Sequence, residues 1–216
     1  MQAFDIVLRK RFKEAHAIQA EFDHDDRMIE MLASKQFDHA RIKSWMRTYG
    51  LFQGIDSASR DRIVERFIRF VQDHPHPQQI TEEQIGQRFH LLLEALHQTV
   101  NRGWLSATSK LLWCLHPQDV VIFDAFVHRA LVVLQHIDAG LEALPRIGSV
   151  PSLARNPDLA SRSAWYMRYQ RMVRILHHRT ASLRDELRKK WGLRYPYDIR
   201  ITDKVLWMMG DPNYKG

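Results

Sequence analysis

The sequence has a single cysteine, Cys114, among its 216 residues, so it cannot close an internal disulfide bond. The absence of cysteine clusters excludes thiolate zinc sites and iron–sulfur clusters. No apolar run approaches the roughly eighteen residues of a membrane span, and Asp5, Arg9 and Lys10 disfavour a secretory signal at the N-terminus. We therefore expect a folded cytoplasmic protein with no membrane partner.

Several motifs of known chemistry are also absent. The sequence contains no glycine-rich phosphate loop of the Walker or Rossmann type and no Gly-x-Ser-x-Gly turn. Its twelve histidines do not show the spacing of a zinc site, and the acidic segment 23–26 is typical of a turn. The sequence therefore predicts neither a metal ion nor a cofactor.

The charge of the chain is unevenly distributed. Thirty-two lysines and arginines against twenty-five acidic residues give a formal net charge of +7. Residues 1–108 carry fifteen basic and fifteen acidic side chains, whereas residues 109–216 carry seventeen and ten, which accounts for the whole excess. Because basic side chains neutralise phosphates, the C-terminal half, and 162–194 above all, is the candidate surface for a polyanion such as nucleic acid.

Apolar residues recur at helical spacing along nearly the whole chain, and alternating strand patterns are almost absent. The pattern predicts one all-α domain of about nine helices. We expect this domain to form two lobes (about 1–78 and 79–216) around a basic cleft. The first helix is predicted over 4–22, a long helix over 158–191 and a last one over 205–209.

A helical hairpin is predicted at the mouth of this cleft. Thr81 and Gln84 have the spacing of a capping box at the start of a helix, which residues 101–103 link to a second helix over 105–115. The apolar run 120–123 that follows predicts a buried extended segment.

Lys110 and Asp124 are the candidates for chemistry. On its helix, Lys110 points away from the apolar stripe and lies alongside Ser106, Trp113 and Cys114. The extended segment is long enough to bring Asp124 back near Lys110. A lysine amine can attack a sugar carbon, and a carboxylate can stabilise positive charge on that sugar. The same spacing also fits a solvated lysine and an aspartate that only caps the next helix.

A family resemblance extends over these residues. The string that carries it is Ser109-Lys110-Leu111-Leu112, then Pro117-Gln118-Asp119-Val120-Val121-Ile122-Phe123-Asp124-Ala125-Phe126-Val127 and Ala130-Leu131. It resembles the core of the helix-hairpin-helix DNA glycosylase superfamily and is most similar to its prokaryotic 8-oxoguanine DNA glycosylase-like branch. The resemblance implies that Asp124 is the catalytic carboxylate and Lys110 the nucleophile that forms a Schiff base.

The resemblance also implies that backbone amides of the hairpin grip a DNA phosphate. The residues concerned are Asn101, Arg102 and Gly103, a link with one glycine where family hairpins have two or more. The segment 200–210 is similar to a C-terminal segment of such proteins, and we expect a buried pair of Arg200 and Asp203 to support the last helix there.

Two further groups of residues are candidates for contacts with DNA. The aromatic side chains near the two candidate catalytic groups are expected either to stack on an extruded base or to belong to the core; they are Trp104, Trp113, Phe123 and Phe126. The long helix carries Arg168, Arg171 and Arg174 at intervals of three residues. This stripe is expected to follow a phosphate backbone or to form a solvated face.

These features predict a protein of DNA repair: a DNA glycosylase that flips out and removes a damaged or modified base, with lyase activity if Lys110 forms a Schiff base. The first alternative is a nucleic-acid-binding protein that keeps the scaffold without catalysis, in regulation or phage defence. The second is a helical protein-interaction module whose positive charge only keeps it in solution.

Overall fold

The computed structural model of the protein describes residues 2–18, 22–74, 80–151, 158–193 and 195–214. Over these ranges the chain forms eleven α-helices and no β-strand, which confirms the predicted all-α class. None of these helices is long and apolar enough to cross a membrane. The helices are α1 (Ala3–Ile18), α2 (Phe22–Ala33), α3 (His39–Thr48), α4 (Ser57–Asp73), α5 (Glu82–Val100), α6 (Leu105–Leu115), α7 (Ala125–Ile137), α8 (Ala139–Glu142), α9 (Leu159–Arg179), α10 (Ala181–Trp191) and α11 (Asp198–Gly210).

The structure divides the chain into more helices than the nine or so predicted. Helix α1 is described to Ile18 and α2 from Phe22, so the end of the helix predicted over 4–22 involves residues 19–21, which lie outside the described residues. The helix predicted over 158–191 is two helices that meet at Thr180, whose hydroxyl donates a hydrogen bond to a carbonyl of the preceding turn at 2.7 Å. Apolar spacing continues across Thr180, so periodicity alone does not reveal the break there.

The acidic segment 23–26, which was expected to form a turn, lies within α2. Its Asp25 is buried and accepts hydrogen bonds from Trp45 Nε1 at 3.1 Å and from Tyr49 Oη at 2.6 Å. The rings of Trp45 and Tyr49 stack with their centroids 4.2 Å apart. This buried network attaches the C-terminal end of α3 to α2 and so fixes the position of Tyr49.

The segment 120–123 is buried and non-helical, and Asp124 at its end has an extended backbone; side chains satisfy the backbone groups of the segment. The hydroxyls of Tyr166 and Tyr169 on α9 donate hydrogen bonds to its carbonyls at 2.7 and 2.9 Å. Gln170 and Ser109 accept hydrogen bonds from its amides at 3.1 and 2.8 Å. Buried backbone groups require such partners, so α9 and α6 together fix the point at which the segment enters α7.

Helices α7 and α11 pack so closely that the contact requires a glycine. A Cβ atom at Gly210 would lie 1.8 Å from the carbonyl oxygen of Phe126. Helix α1 packs on α7, α10 and α11, whereas α4 packs on α3 and α5. The N-terminal helix therefore lies with the C-terminal helices.

Candidate functional site

A cavity of about 340 Å³ lies between the turn that follows α3 and helix α11. This volume is at the lower end of the range for small-molecule sites. Four parts of the chain contribute to it: the segment 48–53, α6, the end of the extended segment, and α11. The lining residues are Thr48, Tyr49, Gly50, Gln53, Lys110, Ile122, Asp124, Arg200, Asp203, Lys204 and Trp207.

Lys110 and Asp124 therefore line the same cavity. The Nζ atom of Lys110 donates a hydrogen bond to the backbone carbonyl oxygen of Tyr49 at 2.9 Å. Burial lowers the pKa of the Lys110 amine and Arg200 lowers it further, while Asp124 and Asp203 oppose the change. A lowered pKa increases the fraction of neutral amine, which is the form that can act as a nucleophile.

Asp124 is the N-cap residue of α7. Its Oδ1 atom accepts a hydrogen bond from the backbone amide of Phe126 at 2.8 Å, so it has the capping role that its position suggests. The side chain is also half-buried in the cavity wall. The Asp124 carboxylate therefore both caps α7 and lines the cavity.

The expected pair of Arg200 and Asp203 is present on α11, and both side chains line the cavity. Burial raises the pKa of the Asp203 carboxyl to about 6, against the attraction of Arg200 and Lys204. Only 2% of Asp203 is exposed, and its Oδ1 atom has no hydrogen-bond partner among the described residues. The cavity thus contains a second carboxyl group, one that exchanges its proton in mildly acidic solution.

Lys204 and Trp207 complete the α11 wall, and neither is among the residues predicted from the sequence. With Arg200 and Asp203 they have the spacing of a single helical face. That spacing is visible in the sequence, but it does not show what the face lines. The segment 48–53 carries no comparable pattern, since it enters the site through a turn.

The hairpin link lies beside this cavity. Arg102 donates hydrogen bonds to the carbonyls of two consecutive residues at 3.2 and 3.0 Å, and the first of them, Gln53, lines the cavity. Asn101 ends α5 in the left-handed conformation, with φ of 50°. Gly103 has an internal role, because a Cβ atom there would lie 2.6 Å from Nε of Arg162, a buried side chain that donates to the Gly103 carbonyl at 3.0 Å.

The structure separates the aromatic residues that were expected to stack on a base. Trp113 is completely buried and Phe123 nearly so, because α6 and the extended segment are enclosed by packing on several sides. Trp113 belongs to the core, which corrects its assignment as a stacking residue. Trp104 and Phe126 are half-buried outside the cavity lining, and Phe126 makes an edge contact with Trp207 at 5.7 Å.

The arginine stripe on α9 does not reach the cavity. Arg171 forms an ion pair with Glu82 at the start of α5, with Nε and Oε1 2.9 Å apart. Burial raises the pKa of the Asp119 carboxyl, and the positive charge of Arg174 partly offsets this rise. Arg168 is exposed. The role of the stripe in DNA binding therefore remains a prediction, and none of its three arginines lines the cavity.

Part of the positive charge of residues 162–194 stabilises the fold. Arg179 bridges Asp138 at 2.6 Å and Asp5 at 3.5 Å. Arg184 is buried and donates to Oγ1 of Thr180 at 2.9 Å. The charge excess of this stretch consequently overstates how many cations are available to meet a polyanion.

Among the described residues, no group of three or more His, Cys, Asp or Glu side chains could hold a metal ion. A scan against protein-family models and searches of curated proteins and of solved structures found no match. The function of the protein is therefore inferred from the cavity and its surroundings.

Proposed function

We propose that the protein binds double-stranded DNA and removes a damaged or modified base, as its resemblance to the helix-hairpin-helix DNA glycosylases implies. The observation that carries this proposal is the convergence of the Lys110 amine and the Asp124 carboxylate on one cavity. A solvated lysine and an aspartate with only a capping role have no reason to meet. A nucleophile and a carboxylate that act on the same sugar must both line the site where that sugar binds.

Asp124 stabilises the charge that develops when the base departs. The bond between sugar and base breaks, and its electron pair leaves with the base, so positive charge accumulates on the sugar. A carboxylate at short range lowers the energy of this state. The hydrogen bond from the Phe126 amide holds the carboxylate in place, so it does not have to reorganise during the reaction.

Lys110 supplies the nucleophile. Its neutral amine forms a bond to sugar carbon C1′, and the amine proton is released to water. The C1′–O4′ bond then breaks and O4′ takes up a proton from water, so the ring opens to a Schiff base between Lys110 and C1′, which borohydride reduces to a stable protein–DNA adduct. This step needs the neutral amine, and the lowered pKa of Lys110 makes that form available at lower pH than for an ordinary lysine.

A base must leave the duplex stack before these groups can reach its sugar, at a cost of a few kcal/mol. Trp207 offers an aromatic surface in the cavity wall. Stacking of a base on an aromatic side chain is worth about 1–3 kcal/mol, which offsets much of the cost of unstacking. Gln53 and Asp203 add polar groups that can bind the edge of the base.

The proposal extends to the scaffold. Helices α3, α4, α5 and α6 form one group and α1, α7, α10 and α11 another, and the cavity has walls from both groups. The α5–α6 hairpin lies beside the cavity through the contact of Arg102 with Gln53. We interpret this as a two-lobed, glycosylase-like arrangement with the hairpin at the mouth of the cleft.

The test is to incubate the protein with a panel of DNA duplexes, each with one modified base, and to quench with borohydride. We expect at least one duplex to release its base and to yield a covalent adduct. Lys110→Gln should lose the adduct and keep base release. If no duplex releases a base at saturating protein, the enzymatic proposal is wrong.

A non-catalytic DNA-binding protein on the same scaffold is the second candidate. It is favoured by the internal hydrogen bonds that Lys110 and Asp124 already make, to Tyr49 and with Phe126. Binding without turnover across the whole panel would support it. A helical protein-interaction module, in contrast, would bind the duplexes only weakly and would release them at moderate salt.

A further inference from the structure

Helix α4 carries a row of three arginines on one face. They are four and three residues apart, which at helical spacing places them on the same side of the helix. With residues of α5 they line a groove of about 230 Å³. The groove is lined by Arg62, Glu65, Arg66, Arg69, Gln98 and Thr99. We call Arg62, Arg66 and Arg69 the α4 arginine row.

The positive charge of this row is only partly offset within the described structure: Arg62 is close enough to Asp56 to lower the pKa of that carboxyl. Arg62 donates to the hydroxyl of Ser59 at 2.8 Å, and Arg66 donates to Oε1 of Gln98 at 3.4 Å. Neither contact involves an acid, and none of the three arginines forms an ion pair with another described residue. Glu65 is the one acidic side chain in the groove lining. Three cations held within about 10 Å of helix repel one another, and an anion in the groove relieves that repulsion.

One end of the α4 arginine row lies near the hairpin link beside the candidate site. Arg66 contacts Gln98, and Arg88 donates to the carbonyl of His74 at 3.4 Å, so α4 and α5 run antiparallel. The N-terminal part of α4, with Arg62, therefore lies beside the C-terminal end of α5 and the hairpin link. From that link Arg102 reaches the cavity lining.

We infer that the α4 arginine row binds the DNA backbone that flanks the base in the cavity. This inference rests on the proposed DNA-binding function and identifies the surface that carries its non-specific affinity. One strand of a duplex presents a phosphate about every 3.4 Å of helix axis, so a row of about 10 Å spans about three phosphates.

The arginine stripe on α9 is a poorer candidate for the same contact. Arg171 pairs with Glu82, the first residue of the 19-residue helix α5. The hairpin link lies at the other end of α5, about 27 Å away at 1.5 Å per residue. The α9 stripe is therefore partly neutralised, and Arg171 is distant from the hairpin link.

The experiment measures duplex binding by fluorescence anisotropy over a range of salt concentrations. Each phosphate contact contributes about 0.9 to the slope of log affinity against log salt. We expect R62Q/R66Q/R69Q to reduce this slope by about 2 to 3 and to weaken binding at least tenfold. The matched control R168Q/R171Q/R174Q removes the same charge from α9, and its slope should equal that of the wild type. Thermal unfolding establishes that both variants are folded.

Three results would overturn the inference: an unchanged slope for the α4 variant, an equal change for both triple variants, or no salt-dependent binding by the wild type. Base release at saturating protein separates this inference from the enzymatic proposal. The α4 variant should require at least tenfold more protein than the wild type for half-maximal release, in line with its weaker binding. If the wild type releases no base, the enzymatic proposal fails while the two salt slopes still decide the role of the row.

Discussion

The Nζ atom of Lys110 donates a hydrogen bond to the backbone carbonyl oxygen of Tyr49 at 2.9 Å, which joins α6 to the C-terminal end of α3. Tyr49 is itself held by the buried Asp25, which accepts from its hydroxyl at 2.6 Å. A carbonyl accepts a hydrogen bond from an amine in either protonation state. The contact therefore positions the Lys110 amine at the cavity and leaves it able to lose its proton.

This position predicts the pH dependence of adduct formation. Burial lowers the pKa of Lys110, so the neutral amine should accumulate at lower pH than for a free lysine, whose pKa is about 10.4. In borohydride trapping at a series of pH values, the adduct rate should rise with pH and reach half its maximum below that value. A half-maximum at or above the pKa of free lysine would contradict the assignment of Lys110 as nucleophile.

The close packing of α7 on α11 predicts opposite effects for two glycine substitutions. Gly210→Ala would place a Cβ atom 1.8 Å from the Phe126 carbonyl oxygen, so the helices must separate. We expect a loss of at least about 2 kcal/mol in the free energy of unfolding. Gly86→Ala in α5 is the matched control, because the added Cβ atom would lie 3.5 Å from the side chain of Met167, which is an ordinary contact distance.

Urea unfolding of both variants measures the difference. Gly86→Ala should be neutral or stabilising by up to about 1 kcal/mol, since alanine favours the helix. Equal stability of the two variants would mean that α7 and α11 are further apart than described.

Trp207 and Trp113 should respond differently to truncation. Trp207→Ala removes an aromatic surface from the cavity, so binding of a duplex with an extruded base should weaken by about 1–3 kcal/mol with little loss of stability. Trp113→Ala opens a hole in the core and should lower the free energy of unfolding by about 3–5 kcal/mol. Titration of modified duplexes and urea unfolding test both effects. Unchanged binding by Trp207→Ala would remove this residue from the base-binding surface.

Asp203 predicts a pH dependence of stability. Its pKa is raised to about 6 in the folded protein by burial, compared with about 3.9 for an aspartate in an unfolded chain. The folded state therefore binds the proton more tightly, and the stability that Asp203 contributes falls as pH rises from about 4 to about 6. Asp203→Asn removes this titration, so the stability of the wild type relative to the variant should fall over the same range, by on the order of 3 kcal/mol. Urea unfolding across this pH range measures the difference. A relative stability that increases with pH would contradict the burial of the Asp203 carboxyl.

Features set by local sequence were predictable. The capping box of Thr81 and Gln84 is present, with hydrogen bonds of 2.9 and 3.2 Å. The buried, non-helical segment 120–123 and the capping role of Asp124 follow from an apolar run that ends at a helix start. The sequence could also predict that Lys110 and Asp124 lie near the same site, because this depends on the length of the connecting segment and on the rise of the helix.

Features set by packing between distant segments were not predictable. Periodicity identifies the apolar face of α6 but does not show that its other face is also covered, and this is why Trp113 was misassigned. The segment 48–53 joins the cavity through Tyr49, which is tied to Asp25 on another helix. Charge counting likewise could not tell that Arg171 forms an ion pair while the α4 arginine row forms none with the residues that the structure describes.

The role of Asp124 is the central claim, and Asp124→Asn tests it most cleanly. Asparagine caps a helix about as well as aspartate, so the variant should fold and bind DNA. Asp119→Asn is the matched control, since Asp119 precedes the same extended segment but does not line the cavity.

The decisive measurement is the single-turnover rate of base release at saturating protein, on the duplex that the wild type processes. We predict that Asp124→Asn lowers this rate at least about a hundredfold and that Asp119→Asn leaves it unchanged. Release by Asp124→Asn at the wild-type rate would show that this carboxylate does not act on the sugar and would contradict the account.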